Sequence, residues 1–180
     1  MKNKKNDKKK NSSKKGKPPG SLIYMGPRKD VPITIDYIQY NSEIYVENSL
    51  TKFPDDFQIQ GDDYNTWIDI KGLHDISLIE KIGQIANIHS LTLEDLLNVN
   101  QRPKIDFFDS YLFLTLQILL FDKTSNSIES EQLSIILSDK FVITFLEGPS
   151  EIFDVLKNRM KNTAGKIRNS SADYLTYSIL

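Results

Sequence analysis

A chain of 180 residues, 39% hydrophobic and 26% charged, is long enough for one sizeable domain with its own core. It holds no cysteine, which excludes disulfides, thiolate metal sites and cysteine nucleophiles. The net charge of −1 conceals an asymmetry: residues 1–20 set nine lysines against Asp7, a net of +8, and the remainder carries −9. An acidic body of this kind is a poor partner for nucleic acid and a natural attractor of cations. No run reaches the ~20 apolar residues of a bilayer span. The longest, Tyr111 to Phe121, is broken by Thr115 and Gln117. The basic N-terminus has no apolar stretch behind it, so it does not read as a signal peptide.

Residues 1–20 are rich in lysine, asparagine and serine and close on Lys17-Pro-Pro-Gly20. That composition cannot bury enough apolar area to order itself, and a disordered basic tail is expected. Its functional alternative is contact with anionic lipid or RNA. Residues 21–180 read as a single α/β domain. Leu22 to Met25 is a short apolar run closed by Gly26-Pro27, and Ile33 to Ile38 is β-branched and aromatic with partial alternation, so both read as strands. Asn48 to Thr66 reads as loop, with Asp55-Asp56 and Asp62-Asp63 as solvated turn formers.

Trp67 to Gly72 reads as a strand closing at a glycine. Asp75 has the chemistry of a helix N-cap, and Ile76, Ile79, Ile82, Ile85 and Ala86 mark one apolar helix face ending near Ile88. A second short helix is expected from Thr92 to Val99, stopped by Arg102-Pro103. Ser110 to Phe121 is apolar on both faces, as a central strand would be. Glu131 to Leu137 and Phe141 to Leu146 follow as an antiparallel meander. Ser150 is placed to cap a helix carrying Ile152, Phe153, Val155, Leu156 and Met160; Gly165 interrupts it. Ser170-Ser171 opens a last helix with Leu175, Ile179 and Leu180. It has no terminal glycine or polar fray, so it reads as truncated and is expected to continue in a longer protein.

Motifs that carry chemistry are scarce. The two histidines, His74 and His89, have no ligand pattern around them. There is no phosphate-binding glycine loop, no zinc-protease helix and no nucleophile elbow, and nothing argues for an enzyme. Trp67, Phe107, Phe108, Tyr111 and Phe113 read as core and packing residues. The acidic pair Glu94-Asp95 admits two readings. Carboxylates with Asn98 three and four residues on offer oxygen ligands of the kind a hard ion such as magnesium accepts. Alternatively, Thr92 and Asp95 have capping-box spacing, and acids in a first helical turn offset the helix dipole.

Trp67 to His74, His89 to Phe108, Glu129 to Leu133 and Ala172 to Ser178 together resemble the cytoplasmic N-terminal domain of CorA-type magnesium and cobalt transport proteins. Glu94-Asp95-Leu-Leu-Asn98 and Gln101-Arg-Pro-Lys104 are the most specific segments; Ser90 departs from the proline usual there. The resemblance implies an α/β (α+β) domain whose mixed, largely antiparallel sheet is sandwiched between helix layers. In the family it is followed by a stalk helix and two membrane helices bearing a Gly-Met-Asn signature. The resemblance also implies a homopentamer at the cell membrane with this part on the cytoplasmic side. Glu94 and Asp95 would contribute to regulatory magnesium sites between subunits, with magnesium and cobalt as cargo. Two alternatives stand beside it: the soluble domain of a related zinc transporter, and a free-standing α/β enzyme or adaptor.

Overall fold

The computed structural model describes residues 16–26, 32–59, 63–122, 126–163 and 165–180. Most of the expected tail, residues 1–15, therefore lies outside the described residues, as do Asp62 and Pro27. A seven-stranded sheet organises the fold. Its strands are β1 (Thr34–Tyr40), β2 (Tyr45–Leu50), β3 (Asn65–Lys71), β4 (Lys104–Phe107), β5 (Leu112–Asp122), β6 (Ser127–Leu137) and β7 (Phe141–Leu146). Their order across the sheet is β2-β1-β3-β7-β6-β5-β4. Every neighbouring pair is antiparallel except β3 and β7, which run parallel with Ile68 opposite Ile143.

The parallel pair requires a crossover, because parallel strands cannot be joined by a tight turn. Helices α1 (Ile76–Ile85) and α2 (Ser90–Leu96) lie in the connection after β3 and cover one face of the sheet. Helices α3 (Asp154–Lys161) and α4 (Ala172–Ile179), with a 3₁₀ turn at Ile167–Asn169, cover the other. The expected mixed sheet between helix layers is therefore present. Alternation along β3 serves both layers. Ile68 and Ile70 face α1 and α2, while Trp67 faces α3 and α4; all three are fully buried.

Several local expectations need correction. Leu22 to Met25 forms no strand. It runs as an irregular strap over the α1–α2 layer, with the Met25 N–H donating to the Leu97 carbonyl at 3.0 Å. The segment read as loop from Asn48 includes the end of β2, an edge strand whose exposed side chains blur its alternation. Strand β5 is next to the sheet edge, not central, and its far end leaves Leu119 and Phe121 exposed. Phe107, on the edge strand β4, is 81% exposed and not core. In α3, Phe153, Leu156 and Met160 face the sheet at helical spacing, which leaves Val155 outward.

Beneath α3 lies a buried ionic network. Asp36 and Asp69 sit directly opposite each other on β1 and β3, where like charges repel. Lys157 of α3 bridges them at 2.6 and 3.2 Å, and Lys71 stands 3.8 and 3.6 Å from the same two carboxylates. Burial disfavours the ionised Asp36, but hydrogen bonds from Lys157 and Ser49 and the two lysine charges outweigh it and hold its pKa below the ordinary value. Burial likewise works against the Lys157 charge, yet Asp69 and Asp36 hold its pKa above the ordinary value.

The signs of the two shifts fix the pH dependence. A depressed aspartate pKa contributes stability above its unfolded value, lost as pH falls through the folded one. A raised lysine pKa contributes stability below its unfolded value, lost as pH rises through the folded one. Urea midpoints should therefore hold near neutrality and drop below about pH 4. Asp36→Asn should flatten that acid slope, and an unchanged slope would exclude Asp36 as its source.

Candidate functional site

The acidic pair is carried by α2, a helix of seven residues started by His89. The His89 backbone is extended, and its Nδ1 accepts from the Leu91 N–H at 3.2 Å. Histidine is an uncommon cap, so sequence patterns favour Thr92 instead. Thr92 is in fact inside the helix and buried, sharing a 2.8 Å hydrogen bond with the Tyr111 hydroxyl. The capping-box reading of Thr92 and Asp95 is thus excluded. Helix α1 does start where expected, with Asp75 accepting from Ser77 and Leu78 N–H groups.

Leu93 and Leu96 anchor α2 in the core, which turns Glu94 and Asp95 toward its partly exposed side. The two carboxylates hold different partners. Glu94 Oε2 accepts from the Gly20 N–H at 2.7 Å. Gly20 has φ +82, and a Cβ there would stand 3.0 Å from Ser90 Oγ, so a side chain would strain this seat. Residues 16–20 are exposed up to Gly20, which is half-buried against α2.

Asp95 has both oxygens engaged. Oδ1 accepts from Gln101 Nε2 at 2.6 Å, and Oδ2 from Lys104 Nζ at 2.6 Å. Gln101 Nε2 also reaches the Asp95 carbonyl at 3.1 Å. The Lys104 ammonium also meets Asp106 Oδ2 at 2.7 Å and lies 5.6 Å from the centre of the Phe113 ring. Partial burial works against the Lys104 charge, but its hydrogen bonds to the Asp106 and Asp95 carboxylates prevail and raise its pKa. Gln101 and Lys104 flank Pro103, and β4 begins at Lys104. The helix stop that sequence made conspicuous is therefore also what brings Lys104 back to Asp95. In the sequence Lys104 stands out only as the end of the Gln101-Arg-Pro-Lys104 segment, with no partner assigned, and Asp106 is not singled out. A basic residue nine positions after an acid has no helical or strand periodicity to mark it.

Among the described residues no three histidine or acidic side chains converge on one point that could hold a metal. The oxygens of Glu94 and Asp95 suit a hard ion that keeps most of its water, provided other ligands complete the shell. A different acidic pair, Glu131 and Glu147, is buried near the end of the sheet. There Glu131 accepts from the Gly148 N–H at 2.9 Å. Burial, with Glu147 and then Glu131 nearby, pushes the Tyr24 phenol up.

Comparison with known proteins returns one family. A family model described as "CorA-like Mg2+ transporter protein" matches residues 62–180. The cobalt/magnesium transport protein CorA of Thermotoga maritima is 38% identical over 169 residues, covering 94% of this chain and 48% of that protein. The chain thus spans about half the length of that curated relative. Among solved structures, full-length CmaX superimposes with a TM-score of 0.64 at 12% identity, over 85% of this chain and 46% of that one. The soluble domain of CorA from Methanocaldococcus jannaschii gives 0.59 at 17% identity, over 85% and 56% respectively. At these identities the structural likeness concerns the fold.

Proposed function

The chain belongs to the CorA-like Mg2+ transporter family, and from that membership we propose that it is the cytoplasmic regulatory part of a divalent-cation transport protein. Magnesium, with cobalt beside it, is the proposed cargo, and a homopentamer the proposed assembly. No helix among the described residues is long and apolar enough to cross a membrane. The role proposed for this part is to sense the ion, not to transform it chemically.

The observation that carries this reading is the outward placement of Glu94 and Asp95 on a helix inside the matched region. Residues 21–180 carry a charge of −9, so copies brought together around an axis repel one another. A divalent ion held by Glu94 and Asp95 of one copy, and by oxygens of the next, offsets that repulsion. Its loss when magnesium is scarce loosens the assembly. Linkage then demands that whatever loosens the assembly also weakens the ion.

Replacing Asp95 with alanine in the transport protein tests this reading. The magnesium concentration for half-closure of the current should rise about tenfold, within the range of ordinary allosteric couplings. Equal magnesium sensitivity in wild type and variant would remove the acidic pair from sensing.

A further inference from the structure

The proposed cation ligand Asp95 is not idle: a positive group already occupies it. Lys104 Nζ is 2.6 Å from Asp95 Oδ2 and 2.7 Å from Asp106 Oδ2, in the position between two carboxylates that a free cation would take. The ammonium lies over the Phe113 ring, and Gln101 fixes the other Asp95 oxygen at 2.6 Å. All three charged side chains are about a third exposed, so water and ions reach them. We infer that Lys104 is the resident counter-ion of Asp95 and that a divalent cation gains this carboxylate only by displacing the ammonium, which stays on Asp106. This rests on the cation-binding reading of Asp95.

Two physical consequences follow. Before the ion binds, the ammonium cancels the Asp95 charge, so the vacant acidic surface is less repulsive than its carboxylate count suggests. When the ion binds, Lys104 needs somewhere to go, and Asp106 already holds it at hydrogen-bond distance. The ammonium therefore gives up one of its two ion pairs and keeps the other, so no charge is left without a partner. A tethered monovalent cation competing with a free divalent one sets a threshold. Ions must reach a concentration at which two charges on one centre outweigh one charge held at high effective concentration.

The test is magnesium titration by calorimetry on the assembled transport protein that carries this chain, where oxygens of a neighbouring copy can complete the shell, with melting temperatures recorded without magnesium. Variants are Lys104→Met, which keeps the stem, Lys104→Gln as a polar second, Asp95→Asn, and Lys104→Met combined with Asp95→Asn. Lys104→Met and Lys104→Gln should both tighten magnesium about tenfold, since a full charge has been removed a few ångströms from the ion. Asp95→Asn should cancel that gain. The Lys104 ammonium resonance of the wild-type chain should shift on magnesium addition. If Lys104→Met leaves affinity unchanged or weaker while Asp95→Asn loses binding, the competition is wrong and the cation site stands. If neither substitution alters binding, both the competition and the cation reading fall.

Discussion

Replacing Lys157 with methionine should destabilise the domain by about 3 kcal/mol, the lower end of the range for breaking a buried ion pair. The residue is the hinge of a network that joins α3 to two strands. Its ammonium holds Asp36 at 2.6 Å and Asp69 at 3.2 Å and lies 5.5 Å from the centre of the Trp67 ring. Asp69 is fully buried and also accepts from the Thr144 hydroxyl at 2.7 Å, which in turn accepts from the Trp67 indole N–H at 3.0 Å. Methionine preserves the stem and its packing, so the loss reads the charge.

Lys71 remains within 3.8 Å of both carboxylates, which is why the lower end is expected. The double variant Lys157→Met with Asp69→Asn should recover part of the loss, because the uncompensated carboxylate goes with it. Urea unfolding measures both variants. A loss below about 1 kcal/mol for Lys157→Met would mean that Lys71 alone balances the pair.

The network also marks where sequence stops being informative about this fold. The helix α1 was legible because Asp75 is an effective cap and isoleucines repeat at its apolar spacing. The β5-β6-β7 meander was legible because short turns join apolar runs. What could not be read was the β3–β7 pairing, which joins segments about 75 residues apart without any local signature. Asp36, Asp69 and Lys157 are scattered over 121 positions and acquire meaning only once that pairing exists. Charged residues in strands β1 and β3 look like a solvent face, yet Asp69 has no exposure at all.

The candidate site divides in the same way. Glu94 and Asp95 stand out in the sequence as an acidic pair beside a helix stop, within one of the segments that carry the family resemblance. Their immediate partners were not visible. The Gly20 N–H comes from 74 residues upstream, within a stretch whose composition suggested a solvated tail. His89 has no ligand pattern around it in the sequence, and its role as the cap of α2 is seen only in the fold. A cap, a strap and an ion pair each depend on backbone geometry that composition does not encode. Each of them decides what the acidic pair is free to do.

That dependence can be probed at Gly83, remote in sequence from the carboxylates yet in direct contact with their helix. A Cβ on Gly83 would stand 2.4 Å from Leu93 Cδ1 and 3.3 Å from Leu93 Cδ2, so any side chain here presses on the contact through which α1 and α2 meet. Leu93 is buried and immediately precedes Glu94, and it cannot yield without moving α2 or finding a new rotamer in a filled core. Gly83→Val should therefore cost about 3 kcal/mol, the upper part of the overpacking range, with a β-branched residue adding crowding inside a helix.

Gly83→Ala sets a smaller clash against the ~1 kcal/mol that alanine gains over glycine in a helix, and a net loss of roughly 1 kcal/mol is expected. Denaturant midpoints give both numbers. The side-chain amide resonance of Gln101, which donates to Asp95, reports whether α2 has shifted. A stabilised Gly83→Ala with an unmoved Gln101 amide would show that Leu93 gives way freely. The helix contact would then place no constraint on the acidic pair. A destabilised variant with a displaced amide would instead tie the geometry of Asp95 to the packing of a helix that never touches it.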